Sequence, residues 1–98
     1  MLHMVVNTHG AETCAFRSDE NREPMIGAFR ALSAAATAHD GKMEGAWVNL
    51  SAHTAFLLID APNGHVVDEI IREAGLIGHT TTNIFAVNVL AEAIEQVT

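Results

Sequence analysis

Two hydrophobic rhythms run along this chain. From Leu2 to Thr8 apolar residues fall on both parities of a short, β-rich run, the pattern of a strand covered on both faces. Residues 9–20 are polar. The period then lengthens: Met25, Phe29, Leu32 and Ala36 recur at helical spacing and predict an amphipathic helix. Ala34, Ala35 and Ala36 add helix propensity. Asn21 or Ser18 can cap its start. Proline is tolerated in a first turn, so Pro24 favours Asn21. Asp40-Gly41 ends the helix, and Gly41 suits a left-handed cap.

Short periods then return. Met43 to Leu50 and Thr54 to Ile59 read as strands, and the tight Ser51-Ala52-His53 link makes them an antiparallel hairpin. The turn cluster Asp60-Ala61-Pro62-Asn63-Gly64 leads into a second helix, with Val66, Val67, Ile70, Ile71 and Ala74 inward. Gly75 ends it, and Leu76 can make the apolar contact that accompanies such a cap. Thr80 to Val89 reads as a fourth strand. Leu90, Ile94 and Val97, at i, i+4 and i+7, mark a last short helix.

The order β-α-β-β-α-β predicts one ferredoxin-like α+β domain over residues 1–98. Right-handed crossovers give a four-stranded antiparallel sheet of order 4-1-3-2, with two helices on one face. The strands stay apolar on both parities, so the other face needs a cover. The C-terminal helix is short for that task. A second copy of the sheet is the simplest cover, which predicts a homodimer or higher homo-oligomer built as a dimeric α+β barrel.

Composition narrows the partners. The chain has 98 residues, about half of them apolar, which suits a folded domain. Five basic residues (Arg17, Arg22, Arg30, Lys42, Arg72) are scattered among twelve acidic ones. A net charge of −7 repels phosphate, so no nucleic acid is expected, and an anionic membrane surface is disfavoured too. No run reaches the roughly 18 apolar residues of a membrane span. Met1 to Val6 has no basic leader, and the expected location is cytoplasmic. The single cysteine, Cys14, fits a reducing compartment.

Candidate chemistry follows from the topology. Strand one is antiparallel to both neighbours, so its end lies beside the starts of strands three and four. His9, His53 and His79 occupy those three positions and should converge on one rim, with Glu12 and Cys14 in the loop leaving it. Imidazole, thiolate and carboxylate are the usual ligands of zinc or iron, which makes His9, Cys14, His53 and His79 metal candidates. Without metal, His9, His53 and His79 are candidates for acid–base catalysis. His3 lies at the far end, and His39 and His65 lie at helix ends. A second constellation is expected on the uncovered face. Alternation places His3, Val5, Asn7 and His9 together there, with Asn83 and Phe85 on strand four and Trp47 on strand two. Asn7, Trp47, Asn83 and Phe85 are then the candidate contacts of a small apolar ligand.

The chain also resembles the small bacterial members of the dimeric α+β barrel superfamily. The resemblance is carried by Met4-Val5-Val6-Asn7-Thr8-His9 with Glu12 and Cys14. It continues in Gly45-Ala46-Trp47-Val48 running into Ala52-His53-Thr54-Ala55-Phe56, and in the fourth strand leading to Leu90-Ala91-Glu92-Ala93. It implies a fold more than a reaction, since members include heme-degrading and quinol-forming monooxygenases, lactone isomerases and dehydratases, and proteins with no assigned activity. The heme-degrading members use a first-strand Asn, a Trp and a heme-ligating His, which would be Asn7, Trp47 and His65. Two classes of function stay open. One is a homodimeric protein binding a small apolar molecule, with no cofactor. The other is an enzyme: a cofactor-independent monooxygenase or isomerase, or a metal-dependent enzyme using the rim histidines. No cofactor is the leading expectation, with a divalent metal or heme as the alternatives.

Overall fold

The computed structural model describes residues 1–17, 19–78 and 80–98. Its elements are β1 (Leu2–Thr8), α1 (Asp19–Ala38), β2 (Lys42–Asn49), β3 (Thr54–Asp60), α2 (Gly64–Ala74), β4 (Thr81–Val87) and α3 (Leu90–Gln96). The strands form one antiparallel sheet of order β2-β3-β1-β4, which is the expected ferredoxin-like order counted from the other edge. β2 and β4 are the edge strands. A bulge between Met43 and Gly45 breaks the β2–β3 register, and Trp47 opposes Phe56 beyond it.

α1 and α2 cover one face of the sheet. Their buried positions, Met25, Leu32 and Ala36 on α1 and Val67, Ile70, Ile71 and Ala74 on α2, include most of the predicted stripes. Leu32 and Ala36 and the four α2 residues meet Val5, Leu57 and Ile59 of the two central strands in the core. The face of β1 is the reverse of the expected one. His3, Val5 and Asn7 point at the helices and are buried, while Leu2, Met4 and Val6 point to the open side. Alternation could not separate the parities, because both carry apolar residues. The register across β3 decides it, since Val5 opposes the buried Leu57.

Helix ends also differ from expectation. α1 begins at Asp19, so Asn21 lies inside it and donates from Nδ2 to the Glu12 carbonyl oxygen at 2.8 Å. Asp19 and Glu20 in the first turn suit the positive end of the helix dipole. Pro24 is consequently inside the helix and withholds the N–H that would reach back to Glu20. Ser18, the other cap candidate, lies outside the described residues. At the far end Asp40, not Gly41, takes the left-handed conformation, with φ 59°. Gly41 N–H donates to Ala36 O and Asp40 N–H to Thr37 O, closing a Schellman motif around Asp40. Gly41 is needed for space instead: a Cβ there would sit 2.7 Å from the Asp60 carbonyl oxygen. α2 ends as predicted, with Gly75 at φ 95° and Leu76 buried. Asn63 caps its start, accepting from Val66 N–H at 3.0 Å.

The open face of the sheet is apolar. One row across it reads Trp47, Phe56, Val6, Asn83, and the next reads Gly45, Leu58, Met4, Phe85. The Trp47 ring lies over Gly45, where an added Cβ would come within 2.5 Å of it. α3 does not cover this face: its Leu90 and Ile94 are exposed, as is Val97 after it. No helix among the described residues is long and apolar enough to cross a membrane.

Candidate functional site

Two backbone features bring the rim together. The β1–β3 ladder ends at Thr8 opposite Thr54, which makes His9 and His53 the next residues out on adjacent strands. His9 N–H donates to His53 O at 3.2 Å, so the two backbones are pinned. The β2–β3 turn sets the direction of the second ring. Asn49 Oδ1 accepts from Ser51 Oγ and Ala52 N–H, which tightens the loop. His53 closes that turn in the left-handed region, at φ 50°.

The imidazoles meet edge to face, with ring centroids 5.4 Å apart and planes at 67°. A 3-10 turn over Ala11–Thr13 follows β1 and delivers Cys14, whose N–H donates to Ala11 O. The Cys14 thiol is free and buried. One nitrogen from each of His9 and His53 and the Cys14 Sγ all lie within 4.8 Å of one another. Both His9 nitrogens and the His53 Nδ1 are buried without a hydrogen-bond partner among the described residues. Buried polar atoms nearly always have partners, so three orphans in one place are an unmet demand for a ligand. Desolvation and the neighbouring His53 charge push the His9 pKa down, favouring the neutral ring. Glu12 is exposed at this turn. His79, expected at the same rim, lies outside the described residues.

The remaining histidines stand apart from the cluster. His3 is buried at the other end of β1. His39 sits between Glu69 and Glu73 of α2, at 3.5 and 3.4 Å. His65 is exposed on the first turn of α2.

His53 carries a conformational cost. A left-handed L-residue lies about 1–2 kcal/mol above its right-handed form, a penalty glycine escapes at some cost in unfolded-state entropy. His53→Gly is therefore expected to stabilise the fold by about 0.5–1 kcal/mol. Equilibrium urea unfolding measures it; a loss of stability would show that the ring supports the fold rather than straining it.

A cavity of about 340 Å³ lies beside the cluster, between α1, the loop before it and the helix-facing side of β2 and β3. Phe16, Met25, Phe29, Val48 and Leu57 are among its walls, and His9 and Arg30 are the polar residues on it. Arg30 has no ion pair or hydrogen bond among the described residues.

The predicted ligand set is divided by the sheet. Trp47, Asn83 and Phe85 fall on the open face by register, while Asn7 is on the helix side. Asn7 is fully buried and acts as a strut: its Nδ2 donates to Thr80 Oγ1 at 2.7 Å and Thr82 Oγ1 at 3.0 Å. Thr80 Oγ1 in turn donates to Leu76 O, tying β1 to the end of α2. Asn7, Trp47 and His65 therefore do not assemble the heme-type constellation. Of the predicted contacts only Trp47 borders the cavity, together with His9. Phe16, Phe29 and Arg30 were not anticipated there. An aromatic inside a polar loop was the one available signal, at Phe16.

No family model matches the chain, and no curated protein matches it. Among solved structures it is similar to SCO4226 from Streptomyces coelicolor A3(2), with a TM-score of 0.62 and 20% identity. The match covers 89% of this chain and 96% of that one. At that identity the likeness shows a shared α+β fold.

Proposed function

We propose that this chain is a homodimeric α+β barrel protein that binds a small apolar molecule between α1 and the β2–β3 hairpin. The apolar-walled cavity of about 340 Å³ carries this reading, since it falls within the range of about 300–1,000 Å³ usual for small-molecule sites. Its walls explain the ligand class. Phe16, Met25, Phe29 and Leu57 offer contact area and little hydrogen bonding, so affinity comes from removing apolar surface from water. Arg30 at the wall, whose side chain has no partner among the described residues, adds a preference for a ligand with an anionic end.

The dimer rests on the open face. Trp47 is 57% exposed, Phe85 53% and Phe56 37%, an aromatic patch on one flat sheet. Patches larger than a few hundred Å² are uncommon on monomers and mark association surfaces. A second copy of the same sheet would offer it an equally apolar surface.

The binding claim is tested by calorimetric titration with medium-chain fatty acids and the matching alcohols. The acids are expected to bind more tightly than the alcohols, and Arg30→Met to remove that difference. Ala46→Phe, which fills the cavity from β2, is expected to abolish both while leaving the circular dichroism spectrum unchanged. Equal binding by Ala46→Phe protein would show that the cavity is not the site.

A further inference from the structure

We propose that His9, Cys14 and His53 hold one divalent transition-metal ion of the zinc class, in a site with two imidazole ligands and one thiolate among the described residues. This goes beyond the apolar pocket and does not depend on it. Three observations support it. The donor atoms already converge, all within 4.8 Å of one another. Tetrahedral coordination at about 2.0–2.1 Å to nitrogen and about 2.3 Å to sulfur puts ligand atoms roughly 3.3–3.6 Å apart. Closing the site therefore takes a shift of the donor atoms by about an ångström.

The second observation is the unmet hydrogen bonding. Both nitrogens of His9 and the Nδ1 of His53 are buried without partners among the described residues, and the Cys14 thiol beside them is free. A lone imidazole at a strand end would turn towards water or a carbonyl. Here two rings meet edge to face with the buried Cys14 sulfur near them, and a cation would take one nitrogen from each ring together with that sulfur. The third is the backbone. His9 and His53 are held by the hydrogen bond between them, Cys14 by the 3-10 turn, and His53 is kept in a left-handed conformation that aims its ring at His9. Strain of this kind persists where the surroundings impose it, and it clusters at sites.

The donor set selects the ion. Thiolate and imidazole favour zinc, cobalt, nickel and copper over magnesium and calcium, which prefer oxygen. With three protein ligands among the described residues, the fourth position would take water or an added ligand, as in catalytic rather than structural zinc sites. His9 also borders the apolar cavity, so an exogenous ligand would reach that position from there.

The experiment uses the full, untagged chain stripped with chelator and titrated with Co²⁺. One equivalent is expected to give a thiolate-to-cobalt charge-transfer band and visible d–d bands of tetrahedral intensity, both erased by Zn²⁺ and unchanged by Mg²⁺. Cys14→Ser should lose the charge-transfer band. His53→Asn places another residue that accepts the left-handed region at the turn, so the fold is kept; its Zn²⁺ affinity is expected to fall more than about a hundredfold, beyond the usual effect of an outer-shell change. Absence of a charge-transfer band in the parent chain overturns the site. So does a band that survives Cys14→Ser, or Zn²⁺ affinity unchanged in His53→Asn. Loss of fatty-acid binding in Ala46→Phe with the cobalt spectrum intact would separate the two sites.

Discussion

Phe85→Asp is expected to convert the proposed dimer to a monomer of 10.5 kDa in sedimentation equilibrium. The argument starts from symmetry. A two-fold interface uses the same patch on both copies, so one substitution enters it twice. Phe85 stands in the row Gly45, Leu58, Met4, Phe85, beside the row that holds Trp47 and Phe56. A carboxylate there would be desolvated beside apolar groups such as Met4 and Leu58. Each such charge costs several kcal/mol even after relaxation, and two approach the roughly 8–12 kcal/mol of a micromolar to nanomolar dimer. The protomer itself should survive, because Phe85 is already half-exposed within it. A parent chain that sediments at 10.5 kDa, or a variant that still sediments at twice that mass, would sink the dimer.

Ile70→Ala is expected to cost about 2–5 kcal/mol of folding free energy. Ile70 is fully buried on α2 and belongs to the core that joins both helices to β1 and β3. Its Cδ1 also lies 3.4 Å from the position of a Gly41 Cβ, which places it against the α1–β2 junction. The surroundings have little freedom to collapse. α1 ends there in a Schellman motif, and Gly41 is already wedged against the Asp60 carbonyl oxygen. A total stability of about 5–15 kcal/mol is usual for such a domain, so the loss is a large fraction of it. At about 4–8 °C per kcal/mol the melting temperature falls by roughly 8–40 °C. Urea unfolding with an unchanged m-value is the measurement, and a change under about 1 kcal/mol would mean the site repacks.

What the sequence made legible was whatever periodicity and chain order control. Helical spacing in α1 and α2, the short hairpin link and the split β-α-β order led to the sheet order without further information. The meeting of His9 and His53 was legible for the same reason, since antiparallel pairing alone makes strand-end residues neighbours. The approach of Cys14 needed the 3-10 turn, which no residue pattern announced. The face of β1 was not legible. Alternation carries information only when one parity is polar, and Met4, Val5 and Val6 are all apolar. Asn7 was therefore read as a ligand contact when it is a strut to Thr80 and Thr82. The cavity depends on how α1 leans over β2 and on the conformation of the loop before it, and neither is written in local propensity. Asp40 and Gly41 show the same limit on a small scale: composition favours glycine for the left-handed position, yet close packing against Asp60 claims it one residue later.

The two edges of the sheet are not equally safe from self-templating. β2 carries Lys42 and Glu44 and is distorted by its bulge, devices that discourage another strand from docking. β4, Thr-Thr-Asn-Ile-Phe-Ala-Val, has no charge, no proline and an unbroken register with β1. Its free side is an uninterrupted ladder of backbone donors and acceptors on a β-prone segment, the composition that seeds cross-β stacking. Concentrated stocks of this protein would accordingly turn fibrillar from β4 before any other part of the chain, and a single lysine on that strand is the remedy a protein chemist should try first.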